Sequence, residues 1–157
     1  MAGPAGLASP DEFAQVIATN LTSVVHACQA FGRAMVARGS GAIITVASLA
    51  AHRGWPNACP YAVAKHGVVG LTTSLAAEWA AHGVRVNAIS PGSFMTELNR
   101  ETMPQERKDA ALARSPAGRF GDLQELVGAA LYLASPAASF TTGAVLAVDG
   151  GYLAGGI

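Results

Sequence analysis

The fold turns on Ala42-Ile43-Ile44-Thr45-Val46-Ala47, which follows Arg38-Gly39-Ser40-Gly41 and runs straight into Ser48. The run is short and almost continuously apolar, the pattern of a strand covered on both faces in a parallel sheet. Gly39 and Gly41 mark the end of whatever precedes it. Ser48 then stands at the C-terminal end of a strand, where open α/β sheets present their ligand-binding groups.

Upstream, Ser9-Pro10-Asp11-Glu12 predicts a helix start, with Ser9 as cap, Pro10 in the first turn and Glu12 completing a capping box. Phe13, Val16, Ile17, Leu21, Val24, Val25, Cys28, Phe31 and Met35 keep a helical period, which predicts one long helix with a single apolar stripe and Asn20 beside it. Downstream, a loop with Gly54, Pro56 and Pro60 leads to a second long helix over residues 61–81, closed by Gly83. Residues 84–89 predict another strand, stopped by Ser90-Pro91-Gly92. A polar, weakly helical and lid-like region follows to Arg114. Asp122-Leu123-Gln124-Glu125 opens a third helix that ends near Ser135-Pro136, and residues 144–148 form a last strand before Asp149-Gly150-Gly151.

Alternating helices and strands predict an α/β domain with a small parallel sheet of three strands and flanking helices. One domain over residues 1–157 is expected, because 51% of the 157 residues are hydrophobic and only 13% are charged. Ten basic residues balance ten acidic ones, so no field suited to nucleic acid or an anionic membrane is expected, and a small molecule is the expected partner. No run reaches about 18 apolar residues and Met1 to Pro10 carry no basic leader, so a soluble, cytoplasmic protein is expected. Cys28 and Cys59 fit a reducing compartment. With His26, His52, His66 and His82 they show no metal-ligand spacing, and no metal is expected.

Tyr61 and Lys65 lie one helical turn apart, so both project from one face near the start of their helix. A neighbouring ammonium favours a phenolate, and together the pair suits general acid/base work on one substrate. Ser48 adds a hydroxyl at a strand end.

Ser48, then Tyr61-Ala62-Val63-Ala64-Lys65, then Asn87-Ala88-Ile89-Ser90-Pro91-Gly92, in that order, resemble the short-chain dehydrogenase/reductase family. Asn20-Leu21-Thr22, Gly41-Ala42-Ile43-Ile44, Thr142-Gly143 and Asp149-Gly150-Gly151 extend the resemblance over nearly the whole chain after Ser9. It implies a partial Rossmann-type sheet made of the family's three C-terminal strands, with the N-terminal strands missing. It implies NAD or NADP as cofactor and a small alcohol or carbonyl compound as substrate. Tyr61 is then the general acid/base, Lys65 lowers its proton affinity and holds the nicotinamide ribose, Ser48 orients the substrate oxygen, and Asn20 supports a proton-relay water. Tyr61 and Lys65 also count among the cofactor contacts, with Pro91, Gly92, Phe94 and Thr96 in the stretch that meets the nicotinamide carboxamide and pyrophosphate.

Arg114-Ser115-Pro116-Ala117-Gly118-Arg119-Phe120-Gly121 and Glu125-Leu126-Val127-Gly128-Ala129-Ala130 resemble the gluconate 5-dehydrogenase group of sugar and polyol dehydrogenases. The family's glycine-rich phosphate turn has no counterpart, since Gly3 and Gly6 follow no strand and residues 1–7 read as loop. The residue that would choose NAD or NADP is missing with it. Such an N-terminally truncated chain is expected to expose the strand over residues 42–47 along one edge, and to bind cofactor poorly, associate, or both. The alternative to an enzyme is a catalytically silent fragment that acts through association with itself or a full-length relative.

Among other residues, His52 and Trp55 fall in the loop that lines the substrate pocket in the family, and Glu97, Asn99 and Arg100 in the lid, where exposed charge is expected. Ala76, Ala77, Ala80 and Ala81 suit close helix packing, between subunits or within the domain's own core, and the family resemblance implies a homo-oligomer.

Overall fold

The computed structural model describes residues 8–155; the loop expected over residues 1–7 lies outside them. Helix α1 (Pro10–Ile17) starts on the capping box: the Glu12 N–H donates to Ser9 Oγ at 3.2 Å and the Ser9 N–H to Glu12 Oε2 at 2.9 Å. The helix does not continue unbroken. A π-helical turn, Ala18–Thr22, separates it from α2 (Ser23–Arg38), which ends on Gly39 in the left-handed conformation. The extra residue of a π turn shifts the register that follows it. The buried line on α2 therefore runs through Cys28 and Gly32, and Phe31, expected in the core, is 67% exposed. Gly32 holds that line because a Cβ there would lie 2.3 Å from the Trp79 ring.

Strand β1 (Gly41–Val46) is followed by a 3-10 turn (Leu49–Ala51) and by α3 (Cys59–Trp79). Helix α3 begins two residues before the expected Tyr61: the first-turn N–H groups need no helical partner, so the helix admits Pro60 inside its first turn. A 3-10 turn, Ala80–His82, and Gly83 lead into β2 (Val84–Pro91). The strand runs past its expected end at Ile89, because Ser90 and Pro91 pair with Ala147 and Val148 of β3 (Val145–Val148). Proline is accepted at that last rung, where its missing N–H costs little. The region expected to be lid-like contains two helices, α4 (Glu97–Thr102) and α5 (Gln105–Ala113), and α6 (Gln124–Ala134) precedes β3.

The three strands form one parallel sheet in the order β1-β2-β3, so β1 lies at an edge and its Val46 is 55% exposed. β2 is central and almost wholly buried. One part of the core gathers Ala47, Ala51, Val68 and Ala88, with Leu21 and Val24 packed on it. Another gathers Ala76, Val84 and Val86, with Met35, Ile43 and Trp79. Ala76 thus serves its own subunit's core rather than a subunit contact, while Ala77, Ala80 and Ala81 are exposed. Between helix and sheet the hydroxyls of Thr45 and Thr72 meet at 2.7 Å, and Thr72 donates to the Val68 carbonyl. Among the described residues no helix is long and apolar enough to cross a membrane.

Gly83 has φ +70°, and a Cβ there would stand 2.3 Å from the Gly39 carbonyl oxygen. Gly83→Ala is therefore expected to cost about 2 kcal/mol or more, read as a lowered midpoint in urea unfolding at unchanged slope. Wild-type stability in this variant would refute the close approach of the two turns.

Candidate active site

The C-terminal ends of β1 and β2 open on a cleft of about 1580 Å³. Six of the residues singled out in the sequence line it: Ser48, Tyr61, Pro91, Gly92, Phe94 and Thr96. Each arrives by a local device. Ser48 is extended backbone at the exit of β1 and caps the 3-10 turn, accepting the Ala50 N–H at 3.2 Å. Tyr61 is carried into the cleft by the first turn of α3, just after the buried Pro60. Thr96 caps α4 and accepts the Asn99 N–H at 3.1 Å. Because Ser48 and Thr96 each accept a backbone bond, their own hydroxyl hydrogens remain available to an acceptor in the cleft.

Lys65 lies one turn along α3 from Tyr61, with its Nζ 5.6 Å from the Tyr61 ring centre, and it does not line the cleft wall. Its ammonium donates to the Val46 carbonyl at 2.9 Å, which anchors it to the end of β1 and leaves two hydrogens. Burial lowers the lysine below its ordinary proton affinity, since a charge is costly to desolvate. Asn20 also lies outside the cleft. It sits in the π turn with its amide donating to the Val16 carbonyl at 3.0 Å. That turn packs on α3 at Gly67, where a Cβ would stand 2.7 Å from Leu21. Asn20 is thus placed on the scaffold behind α3.

Gly92 owes its identity to packing, because a Cβ at this position would come within 2.5 Å of Asp149 Cα. Phe94 forms a parallel bridge with Gly121, tying the lid entrance to the segment before α6. Of the residues weighed individually, Trp55 and Asn99 line the cleft and His52 does not. His52 instead bonds to Ser90 at 2.8 Å. Arg53, Asn57, Arg107 and Tyr152, which sequence reasoning passed over, also line it, as does Arg114, which was read only as part of a family-like stretch. Asn57 has φ +61°, a left-handed conformation that asparagine adopts more readily than most residues. The spacing of Arg107 and Arg114, seven residues apart along α5 and its cap, was the one signal that could have paired them.

Beside the cleft, Arg119 and Glu125 form a two-bonded ion pair at 2.8 and 2.7 Å, and Glu125 also accepts the Asp122 N–H at 2.7 Å. These bonds hold the Glu125 carboxyl at about 2. A depressed carboxyl stabilises the fold above its ordinary range and loses that contribution as pH falls through about 2. Carboxyl NMR titration of Glu125 is expected to give that midpoint. An ordinary midpoint near 4.5 would show the pair is open in solution.

The donors suit the nicotinamide end of a dinucleotide. Two hydroxyl hydrogens and a half-buried ammonium can meet ribose hydroxyls and carbonyl oxygens, and the backbone of residues 91–96 forms the adjoining wall. No glycine-rich turn for a pyrophosphate occurs among the described residues.

Residues 1–153 match the family model described as enoyl-(acyl carrier protein) reductase, and the chain belongs to the short-chain dehydrogenase/reductase family. Over 143 residues it is 49% identical to galactitol 2-dehydrogenase (L-tagatose-forming) of Cereibacter sphaeroides, covering 88% of this chain and 56% of that protein. It is 39% identical over 144 residues to gluconate 5-dehydrogenase of Gluconobacter oxydans, covering 91% and 56%. The crystal structure of a gluconate 5-dehydrogenase from Burkholderia cenocepacia, in complex with NADP and tartrate, is similar with a TM-score of 0.93 and 39% identity. That likeness covers 99% of this chain and 62% of the other. The chain therefore spans less than two thirds of the length of these relatives, and its three-stranded sheet corresponds to part of their Rossmann-type fold.

Proposed function

We propose that the protein is an NAD(P)-dependent oxidoreductase that interconverts an alcohol and its carbonyl on a sugar, sugar acid or polyol, with Tyr61 as general acid/base. The observation that carries this reading is the convergence of Ser48, Tyr61 and residues 91–96 on one cleft, with Lys65 behind Tyr61. When bound, the nicotinamide supplies or accepts the hydride. The chain's own groups handle the proton: in reduction Tyr61 Oη gives its hydrogen to the substrate oxygen, and in oxidation it takes one from the hydroxyl. Ser48 donates to the same oxygen and orients it. Lys65 holds positive charge behind Tyr61, and its two remaining hydrogens suit the ribose. Asn20 supports this arrangement from the π turn behind α3.

The test is a titration of the purified protein with NADH and NADPH by nicotinamide fluorescence, followed by a screen of polyols and sugar acids for turnover. Saturable binding and turnover support the reading. Absence of binding at millimolar cofactor would refute it for this chain. A second reading, action only through association with itself or a full-length relative, draws on the open edge of β1 and the exposed Val46. A stable oligomer on size exclusion that binds no cofactor would favour it.

A further inference from the structure

Among the described residues the cleft is lined by Arg53, Arg107 and Arg114 and by no aspartate or glutamate, although the chain as a whole carries as many acids as bases. The three arginines come from two separate segments, the loop after β1 and the lid. Along α5 and its C-cap the charges are sorted: Arg107 and the cap residue Arg114 line the cleft with Ala110 and Ala111, while Glu106 and Asp109 do not. Asp109 is occupied on its own helix by Gln105, which donates to it at 2.8 Å. Among the described residues none of the three guanidinium groups makes a hydrogen bond or ion pair, whereas Arg119, just outside the cleft, is bidentate to Glu125. Arg53 is held instead over the ring of the buried Tyr152, 5.5 Å from its centre, and Tyr152 packs on Trp55 at 6.4 Å. An aromatic face positions a guanidinium while leaving its edge donors free.

We propose that the cleft selects a substrate bearing an anionic oxygen group, carboxylate or phosphate, received by Arg53, Arg107 and Arg114. This assignment rests on the oxidoreductase reading above and narrows it: a sugar acid or sugar phosphate is preferred to a neutral polyol. A guanidinium fork matches the paired oxygens of such groups, and a concave wall of one charge sign concentrates anions from solution. The phosphates of a dinucleotide carry the same chemistry, so the experiment must separate the two sources.

Calorimetric binding of D-gluconate, D-glucitol 6-phosphate, neutral D-glucitol and NADPH to the wild-type protein, without turnover, makes that separation. At least one of the two anionic probes is expected to bind about ten-fold or more tightly than glucitol, an advantage that shrinks as salt rises. Arg107→Gln and Arg53→Gln are expected to weaken that probe about ten-fold while NADPH affinity is retained. Equal affinity for all three sugars overturns the proposal. So does a loss of NADPH affinity in the variants with anion binding intact, which would assign the arginines to the dinucleotide. Failure of the oxidoreductase reading has a different sign, anion-selective binding with no turnover of any probe when cofactor is added.

Discussion

Replacing Tyr61 with Phe should lower kcat by about 100- to 10,000-fold, the usual contribution of a placed general acid/base. Phenylalanine retains the ring that packs at the start of α3 and removes only the oxygen that holds the transferable proton. The loss should therefore fall on kcat and kcat/KM alike, because the missing interaction is one made at the reacting oxygen in the transition state. Lys65 offers an internal comparison. It is anchored to the Val46 carbonyl at 2.9 Å and stands 5.6 Å from the Tyr61 ring centre. Lys65→Met should lower kcat/KM, as the site loses the ammonium anchored at the end of β1 beside Tyr61. Steady-state kinetics of the two variants would check both. A Tyr61→Phe protein with undiminished kcat would remove Tyr61 from the proposed chemistry.

Asn87→Ala should be the most damaging single change away from the cleft. Asn87 is buried at 1% exposure on the central strand, and its side chain makes two bonds to the segment that feeds β3. Its Nδ2 donates to the Thr141 carbonyl at 2.9 Å, and its Oδ1 accepts the Ala144 N–H at 3.0 Å. The same segment is held by Val86, whose N–H donates to Thr142 Oγ1 at 3.1 Å and whose carbonyl accepts the Gly143 N–H at 2.8 Å. Alanine leaves the Thr141 carbonyl and the Ala144 N–H without these partners and a small void beside them. The expected cost is about 2–4 kcal/mol, or roughly 5–15 °C in Tm for a domain of this size. Asn87→Asp should do no better, since a carboxylate cannot donate to the Thr141 carbonyl. Calorimetric melting decides it, and an Asn87→Ala protein within about 0.5 kcal/mol of wild type would show that the side chain does not hold β3.

Where a signal is local, the amino-acid sequence determined the outcome. The capping box at Ser9, the glycine ends at Gly39 and Gly83, and the three strands follow from interactions within a turn or from an apolar run, and the parallel sheet from the alternation of helix and strand. Ser48, Tyr61 and Lys65 were legible for the same reason: a strand end and one helical turn place them without reference to distant partners. Tertiary structure alone decided the rest. The π turn that slips the register before Phe31 packs on α3 through Leu21 against Gly67, and the line on α2 that passes through Gly32 depends on the Trp79 ring; both partners are remote in sequence. The last two residues of β2 are strand because β3 pairs with them, and Ala76 is core because the sheet lies against it. The charge of the cleft is likewise a sum over the loop after β1 and one face of the lid. The loop supplies the single cation Arg53, and residues 97–114, whose acids and bases balance, supply Arg107 and Arg114, so the three-arginine wall exists only once the fold has brought them together and left Glu106 and Asp109 off it.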